Sequence, residues 1–243
     1  MIKAIITGHS SGLGAALAQT LLARGIPVLG LSRRANTDLS ASRLTQHAID
    51  LSAAGALESW LAGPCLADFV KDADTALLIN NAGQLQPVAP CGVQALACIA
   101  TAIQLNLTAP LLLANAFVAR TAGCRERRIV HISSGAARNP YAGWSVYGAT
   151  KAGLDQHARA VAQERIPGLR IASLAPGVVD TPMQGEVRAS DPADFPQHAR
   201  FAALKQDGQL TPPAEAARRL VEHLLGERFG EWVDGDLRSL PAA

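Results

Sequence analysis

Charge is scarce in this 243-residue chain: Asp, Glu, Lys and Arg make up 17% of it, and the formal net charge is only +2. Without a basic surplus there is no electrostatic case for nucleic acid or an anionic membrane surface as partner. Aromatic residues are scarcer still, at 4%, against a hydrophobic share of 49%. An interior built from Ala, Leu, Val and Ile suits a sheet buried on both faces by helices. The four cysteines, Cys65, Cys91, Cys98 and Cys124, form no C-x-x-C pair and match no histidine spacing. That argues against a metal site and for reduced thiols in a cytoplasmic setting. Met1–Ile6 runs straight into a strand-like segment, so no signal peptide is expected. No apolar stretch is expected to reach membrane-spanning length, because the longest, near Ala109–Arg120, is interrupted by Asn115.

What the chain does have is alternation. Short apolar strand candidates at Lys3–Thr7, Ile26–Leu31, Gln46–Ile49, Thr75–Ile79, Arg128–Ser133 and Arg170–Leu174 are separated by helical stretches. Those include a helix through Arg24, Ala54–Leu61, two helices meeting near Asn106, and Ser145–Arg165. The pattern predicts an α/β doubly wound parallel sheet, a Rossmann fold, as one domain over residues 1–243. Ala214–Leu225 reads as a closing helix and Glu231–Val233 as a final strand. Thr181–Pro213 holds five of the fourteen prolines and two phenylalanines, and reads as a mobile excursion with short helices over the strand ends.

The first chemical feature is Gly8-His9-Ser10-Ser11-Gly12-Leu13-Gly14, a glycine-rich turn between the first strand and a helix. Gly8 allows a tight turn, Gly12 lets a phosphate approach the backbone, and Gly14 lets helix and strand pack closely. The helix N-terminus offers free N–H groups to a pyrophosphate. At the end of the second strand stands Ser32-Arg33-Arg34, with no acid until Asp38. A carboxylate there would hold a ribose 2′-hydroxyl, whereas guanidiniums suit a 2′-phosphate, so the cofactor expected is NADP(H). Asp50 could accept from an adenine amino group, or simply cap the next turn. Asn80-Asn81-Ala82-Gly83 ends the fourth strand, where open α/β sheets place a ligand crevice; a turn-forming role explains it nearly as well.

The sharpest pair is Tyr147 and Lys151, four residues apart at the start of a helix and so on one face. A lysine charge about 4 Å away at an effective dielectric of about 20 offers a phenolate roughly 4 kcal/mol. That predicts a phenol pKa lowered by about three units, into the range useful for proton transfer. Ser133-Ser134 closes the fifth strand, thirteen residues before Tyr147, close enough for a hydroxyl and the phenol to meet on one carbonyl oxygen. Asn106 stands out within an apolar helix: buried, it needs partners and distorts its helix.

Taken together these segments resemble the short-chain dehydrogenase/reductase family. Its TGxxxGxG pattern matches Thr7–Gly14, NNAG matches Asn80–Gly83, Ser…Tyr-x₃-Lys matches Ser134, Tyr147 and Lys151, and a Pro-Gly matches Pro176-Gly177. Within the family, Leu44–Leu51, Gln104–Leu113 and Ser134–Asp155 look most similar to the benzil reductase and sepiapterin reductase branch. The resemblance implies a tetrad of Asn106, Ser134, Tyr147 and Lys151, with Lys151 also on the nicotinamide ribose and Asn106 holding a relay water. It implies cofactor contacts at Gly8, Ser10, Ser11, Gly12, Leu13, Gly14, Ser32, Arg33, Arg34, Asp50, Leu51, Asn81, Ala82, Gly83, Pro176, Gly177, Val179 and Thr181. Many NADP-preferring relatives carry a basic residue at Ser11, so here the preference leans on Arg33 and Arg34. Tyr141, Trp144 and Met183 are candidate walls for a small-molecule carbonyl substrate. Asp234 lies where sepiapterin reductases use an acid for their pterin, although a strand-end cap is the simpler reading. A homodimer or homotetramer is implied by the family. A 3-oxoacyl-thioester reductase, an alcohol dehydrogenase and a non-catalytic dinucleotide sensor are the alternatives; Arg188, Arg200 and Lys205 keep a carrier-protein substrate open.

Overall fold

Most apolar segments too short for helices are buried here because they lie inside a sheet covered on both faces. The computed structural model describes residues 1–39, 42–53 and 55–240. Its strands are β1 (Ile2–Thr7), β2 (Val28–Ser32), β3 (Leu44–Ala48), β4 (Thr75–Asn80), β5 (Glu126–Ile132), β6 (Leu169–Ala175) and β7 (Asp234–Asp236). They pair in parallel in the order β3-β2-β1-β4-β5-β6-β7. β2 and β4 are buried at every position, while β3, at the edge, is half-exposed.

Side chains alternate between the faces with period two. Ala4, Ile6, Leu77, Ile79, Val130 and Leu174 pack against Leu17 and Leu21 of α1 (Gly12–Ala23) and Leu220 and Leu224 of α9 (Pro213–Leu225). Ile5, Ala76, Leu78, Ile129 and Ile171 face the other way. That layer contains α2 (Ala56–Ala62), α3 (Cys65–Val70), α5 (Ala109–Arg120) and α6 (Ser145–Gln163), with Leu113, Phe117 and Ala158 on the sheet. This is the doubly wound sheet that the alternation predicts.

Three expectations need correction. The final strand is Asp234–Asp236, not Glu231–Val233: Ser173 donates to the Val233 carbonyl at 2.7 Å, and pairing with β6 begins only at Asp234. Where only a Gly63-Pro64 break was expected, a further helix, α3, begins directly after Pro64, because proline ends one helix and suits the start of the next. Ala54, the expected start of α2, lies outside the described residues. Finally, α4 (Leu96–Ile103), a π-helical segment (Gln104–Thr108) and α5 form one apolar run of 25 residues, Leu96–Arg120, with an 18-residue window of mean hydropathy 1.8. By length and composition it is long enough to cross a membrane, because Asn115 sits exposed on its outer side and interrupts nothing. In this fold its α5 half buries Leu113, Ala114 and Phe117 against the sheet.

Strand order reverses between β1 and β4, so their carboxyl ends open a crevice. Over it lie α7 (Pro182–Ala189) and α8 (His198–Gln206). The arch is tied back where Val179 bridges Thr211 and Asp180 donates to the Thr211 carbonyl at 2.9 Å. Leu85, Trp144, Tyr147, Val187, Phe195 and Phe201 form a separate apolar cluster beneath it.

Candidate active site

The glycine-rich turn is locked at its base. A Cβ on Gly14 would lie 2.1 Å from the Gly8 carbonyl oxygen, so α1 can cross the turn this closely only with glycine there. Thr7 Oγ1 accepts from the Asn81 and Ala82 amides, both at 2.9 Å, and Asn81 Nδ2 donates to the Thr7 carbonyl at 3.0 Å. These bonds stitch β1 to β4 at the switch point. Ser11, at the N-cap of α1, makes no side-chain capping bond, which leaves the first helical N–H groups to an anion.

At the end of β2, Ser32 Oγ donates to the Arg34 carbonyl at 2.6 Å and closes the turn. Arg33 and Arg34 project exposed from it, with no ion pair among the described residues. Asp50 Oδ1 accepts from the Ser52 hydroxyl and amide at 2.6 and 2.9 Å; these bonds, and Arg33 beyond them, hold its carboxyl below the usual range. Unspent helix N–H groups, a turn closed to any side chain at Gly14 and two unpaired guanidiniums fit a phosphorylated dinucleotide.

The catalytic candidates meet at the start of α6. Lys151 Nζ donates to the Ile132 carbonyl at 2.8 Å and lies 5.8 Å from the centre of the Tyr147 ring. Ser134, two residues beyond β5, accepts from the Ala136 amide at 3.2 Å and lies beside the phenol on the same cavity. The expected lowering of the phenol pKa does not occur in the protein alone: burial pushes Tyr147 up, opposed only by the Ser134 hydroxyl. Lys151 is itself brought down to about 8 by burial, with the Asp155 carboxylate opposing. The spacing argument misses this because desolvation acts on both members of the pair.

Asn106 is fully buried within the π segment. Its Oδ1 accepts from the Gln84 amide at 2.8 Å, and its Nδ2 donates to the Gln84 carbonyl at 2.8 Å and to Thr150 Oγ1 at 3.3 Å. The side chain thus pins the β4–α4 connection against α6. A Cβ on Gly83 would stand 3.3 Å from Asn106 Oδ1 and 3.5 Å from Lys151 Nζ, so Gly83 keeps this wall thin.

One cavity of about 830 Å³ is lined by every residue expected at the cofactor, the tetrad and the substrate wall except Asn106, which stands behind the wall. Its distal part is aromatic. Trp144 stacks on Phe195 at 4.4 Å and 8°, meets Tyr147 edge-on at 5.7 Å, and lies 5.3 Å from Tyr141. Met183, Leu85, Phe201 and Leu204 complete that wall. The sequence reading missed Leu85, Arg138 and Asp236 as lining residues; for Phe201, the aromatic content of the excursion was the available signal. Asp234 is not on the cavity but pairs with Arg159 at 3.1 Å.

Fold and site together define an oxidoreductase that handles a nicotinamide dinucleotide. The sequence profile of the short chain dehydrogenase family matches residues 3–192, and the chain belongs to that family. Among individual relatives, the benzil reductase ((S)-benzoin forming) of Bacillus subtilis is 41% identical over 90% of this chain and 92% of its own. The sepiapterin reductase of Bos taurus is 31% identical over 93% and 90%. A crystal structure of a short-chain dehydrogenase/reductase from Burkholderia vietnamiensis is 44% identical, covers 99% of this chain and 98% of its own, and superimposes with a TM-score of 0.72.

Proposed function

We propose that this protein reduces a ketone or vicinal diketone, benzil-like or resembling a pterin side chain, to a secondary alcohol with NADPH. The observation that carries the reading is a buried Tyr147, kept protonated by burial, that shares one cavity with Ser134 and Lys151 and adjoins an aromatic wall. NADPH, when bound, supplies the hydride. Arg33 and Arg34 hold its 2′-phosphate and the α1 N-terminus its pyrophosphate. Ser134 and Tyr147 donate to the substrate oxygen as negative charge gathers there, and Tyr147 gives up its proton. Lys151, as ammonium, steadies the resulting phenolate and reaches the ribose.

The aromatic wall favours a flat, apolar carbonyl compound over a small charged acid. A carrier-protein thioester fits less well: Lys205 is paired with Asp180 at 2.6 Å, and Arg188 has a buried nitrogen, which leaves Arg200 as the remaining cation of the three. A cytoplasmic setting accords with four free thiols. Self-association through the exposed α4 side accords with Leu96 and Val93, 83% and 72% exposed.

The deciding experiment is a carbonyl panel followed by NADPH absorbance, contrasting benzil-like diketones, pterins, acyl-thioester ketones and sugars. Turnover confined to thioesters or sugars sinks the substrate reading. Tyr147→Phe should leave NADPH binding intact while turnover falls on the order of 10²–10⁴-fold; retained reductase activity refutes the proton-donor role.

A further inference from the structure

Asp155 is the residue that this scheme leaves out. It follows Lys151 by four positions on α6, as Lys151 follows Tyr147, so the three side chains share one helix face. It is 2% exposed, yet both of its oxygens have partners. Its Oδ2 accepts from Arg138 Nη1 at 2.8 Å, and its Oδ1 accepts from Ser133 Oγ at 2.6 Å and Ser173 Oγ at 2.7 Å. A buried carboxylate is costly unless it is paired and hydrogen-bonded, and a buried ion pair replaced as a whole by apolar residues of similar volume is often no less stable. Packing alone therefore does not call for this charge.

Each donor brings a different part of the site. Ser133 immediately precedes Ser134, and Arg138 follows the short 3₁₀ turn Gly135–Ala137 that Ser134 starts. Ser173 lies in β6, shortly before Ala175-Pro176-Gly177, which lines the cavity. Arg138 Nη2 also donates to the Gly235 carbonyl of β7 at 3.1 Å. Ser134 is thus held from both sides by donors to one carboxylate, and that carboxylate is carried by the helix that bears Tyr147 and Lys151.

We propose that Asp155, with Arg138 as its counter-charge, is a positioning residue: it sets Ser134 against Tyr147, and its negative charge keeps Lys151 in the ammonium form. The inference rests on the tetrad reading above. The charged and titratable groups around the pair are Tyr147 on α6, Arg138 beyond the 3₁₀ turn, His131 on β5 with His157 of α6 bonded to it, and Asp236 of β7, which faces Arg138 and pairs with Arg238; the Arg159–Asp234 pair lies farther along α6. Burial drives Lys151 toward neutrality, and Asp155 opposes it.

The test is Asp155→Asn, which keeps the shape and removes the charge. Lysine ammonium signals of the labelled apoprotein are titrated by NMR; the chain has four lysines, and Lys151→Arg assigns the relevant one. Lys151 should titrate at lower pH than in the parent protein, the basic limb of kcat should move the same way, and kcat should fall about tenfold or more with a smaller change in KM. Ser173→Ala, which leaves the charge in place, should not move the titration. An unmoved Lys151 titration in Asp155→Asn overturns the proposal whatever the activity does. If that variant does not fold, Arg138→Met strips the counter-charge instead and should move the titration upward; an unmoved or lowered one overturns it. Because the apoprotein titration needs no turnover, its failure is distinguishable from failure of the tetrad reading, which Tyr147→Phe reports.

Discussion

At the scale of single residues, the site is a contest between burial and charge. Lys151 titrates at about 8 against an ordinary 10.5. Its folded pKa is below its unfolded one, so the unfolded chain binds the proton more tightly. Stability therefore declines as pH falls from about 10.5 to about 8 and stays reduced below that. The chain gives up this stability at a residue that the proposed chemistry needs, a trade common at functional sites. Activity should decline as pH rises through about 8 and the ammonium is lost, as a pH–rate profile would show. Arg33→Ala should weaken NADPH roughly tenfold or more, by the loss of a charged hydrogen bond, and leave NADH nearly unaffected; equal losses in binding titrations would refute the 2′-phosphate role. Tyr147 and Lys151 could be found by their spacing, and Ser134 by its place at a strand end. The direction of the phenol shift could not, because spacing carries a Coulomb term but no measure of how much water is left.

Among elements, β5 and the π segment hold what the sequence shows least plainly. His131 is fully buried in β5, bonded to Asn80 at 3.0 Å and His157 at 3.1 Å. Burial first, then the charges of His157 and Lys151, brings it to about 3. Between about 6.5 and about 3 the unfolded chain takes up a proton that the folded one refuses, so stability falls as pH falls through that window. His131→Gln should flatten this dependence in urea unfolding series; an unchanged slope would contradict it. Asn106 was conspicuous as an amide among apolar neighbours, but its partner Gln84 lies 22 residues away, beyond the reach of any helical spacing. The strands β1, β2 and β4 were readable because burial on both faces makes them continuously apolar. β7 was not: Asp-Gly-Asp pairs by backbone alone at a sheet edge, where side chains carry no pattern.

Across the whole molecule, the arch of α7 and α8 comes into very close contact with the segment leading into α6 at Gly143. Gly143 has φ +84°, and a Cβ there would lie 2.2 Å from the Asp194 carbonyl oxygen. Gly143→Ala should displace the Asp194–Phe195 stretch and raise KM for the carbonyl substrate, with NADPH affinity little changed; steady-state kinetics beside a binding titration separate the two. The arch could be located from its prolines, but not this contact, since Gly143 and Asp194 are far apart in the chain. The stacking of Trp144 on Phe195 has a practical side as well. Of the tryptophans, Trp144 lines the cavity, while Trp60 donates to His47 at 3.1 Å and Trp232 lies under Arg228. The protein therefore carries its own optical gauge: a change in Trp144 emission would register an arriving ligand before any substrate has been turned over.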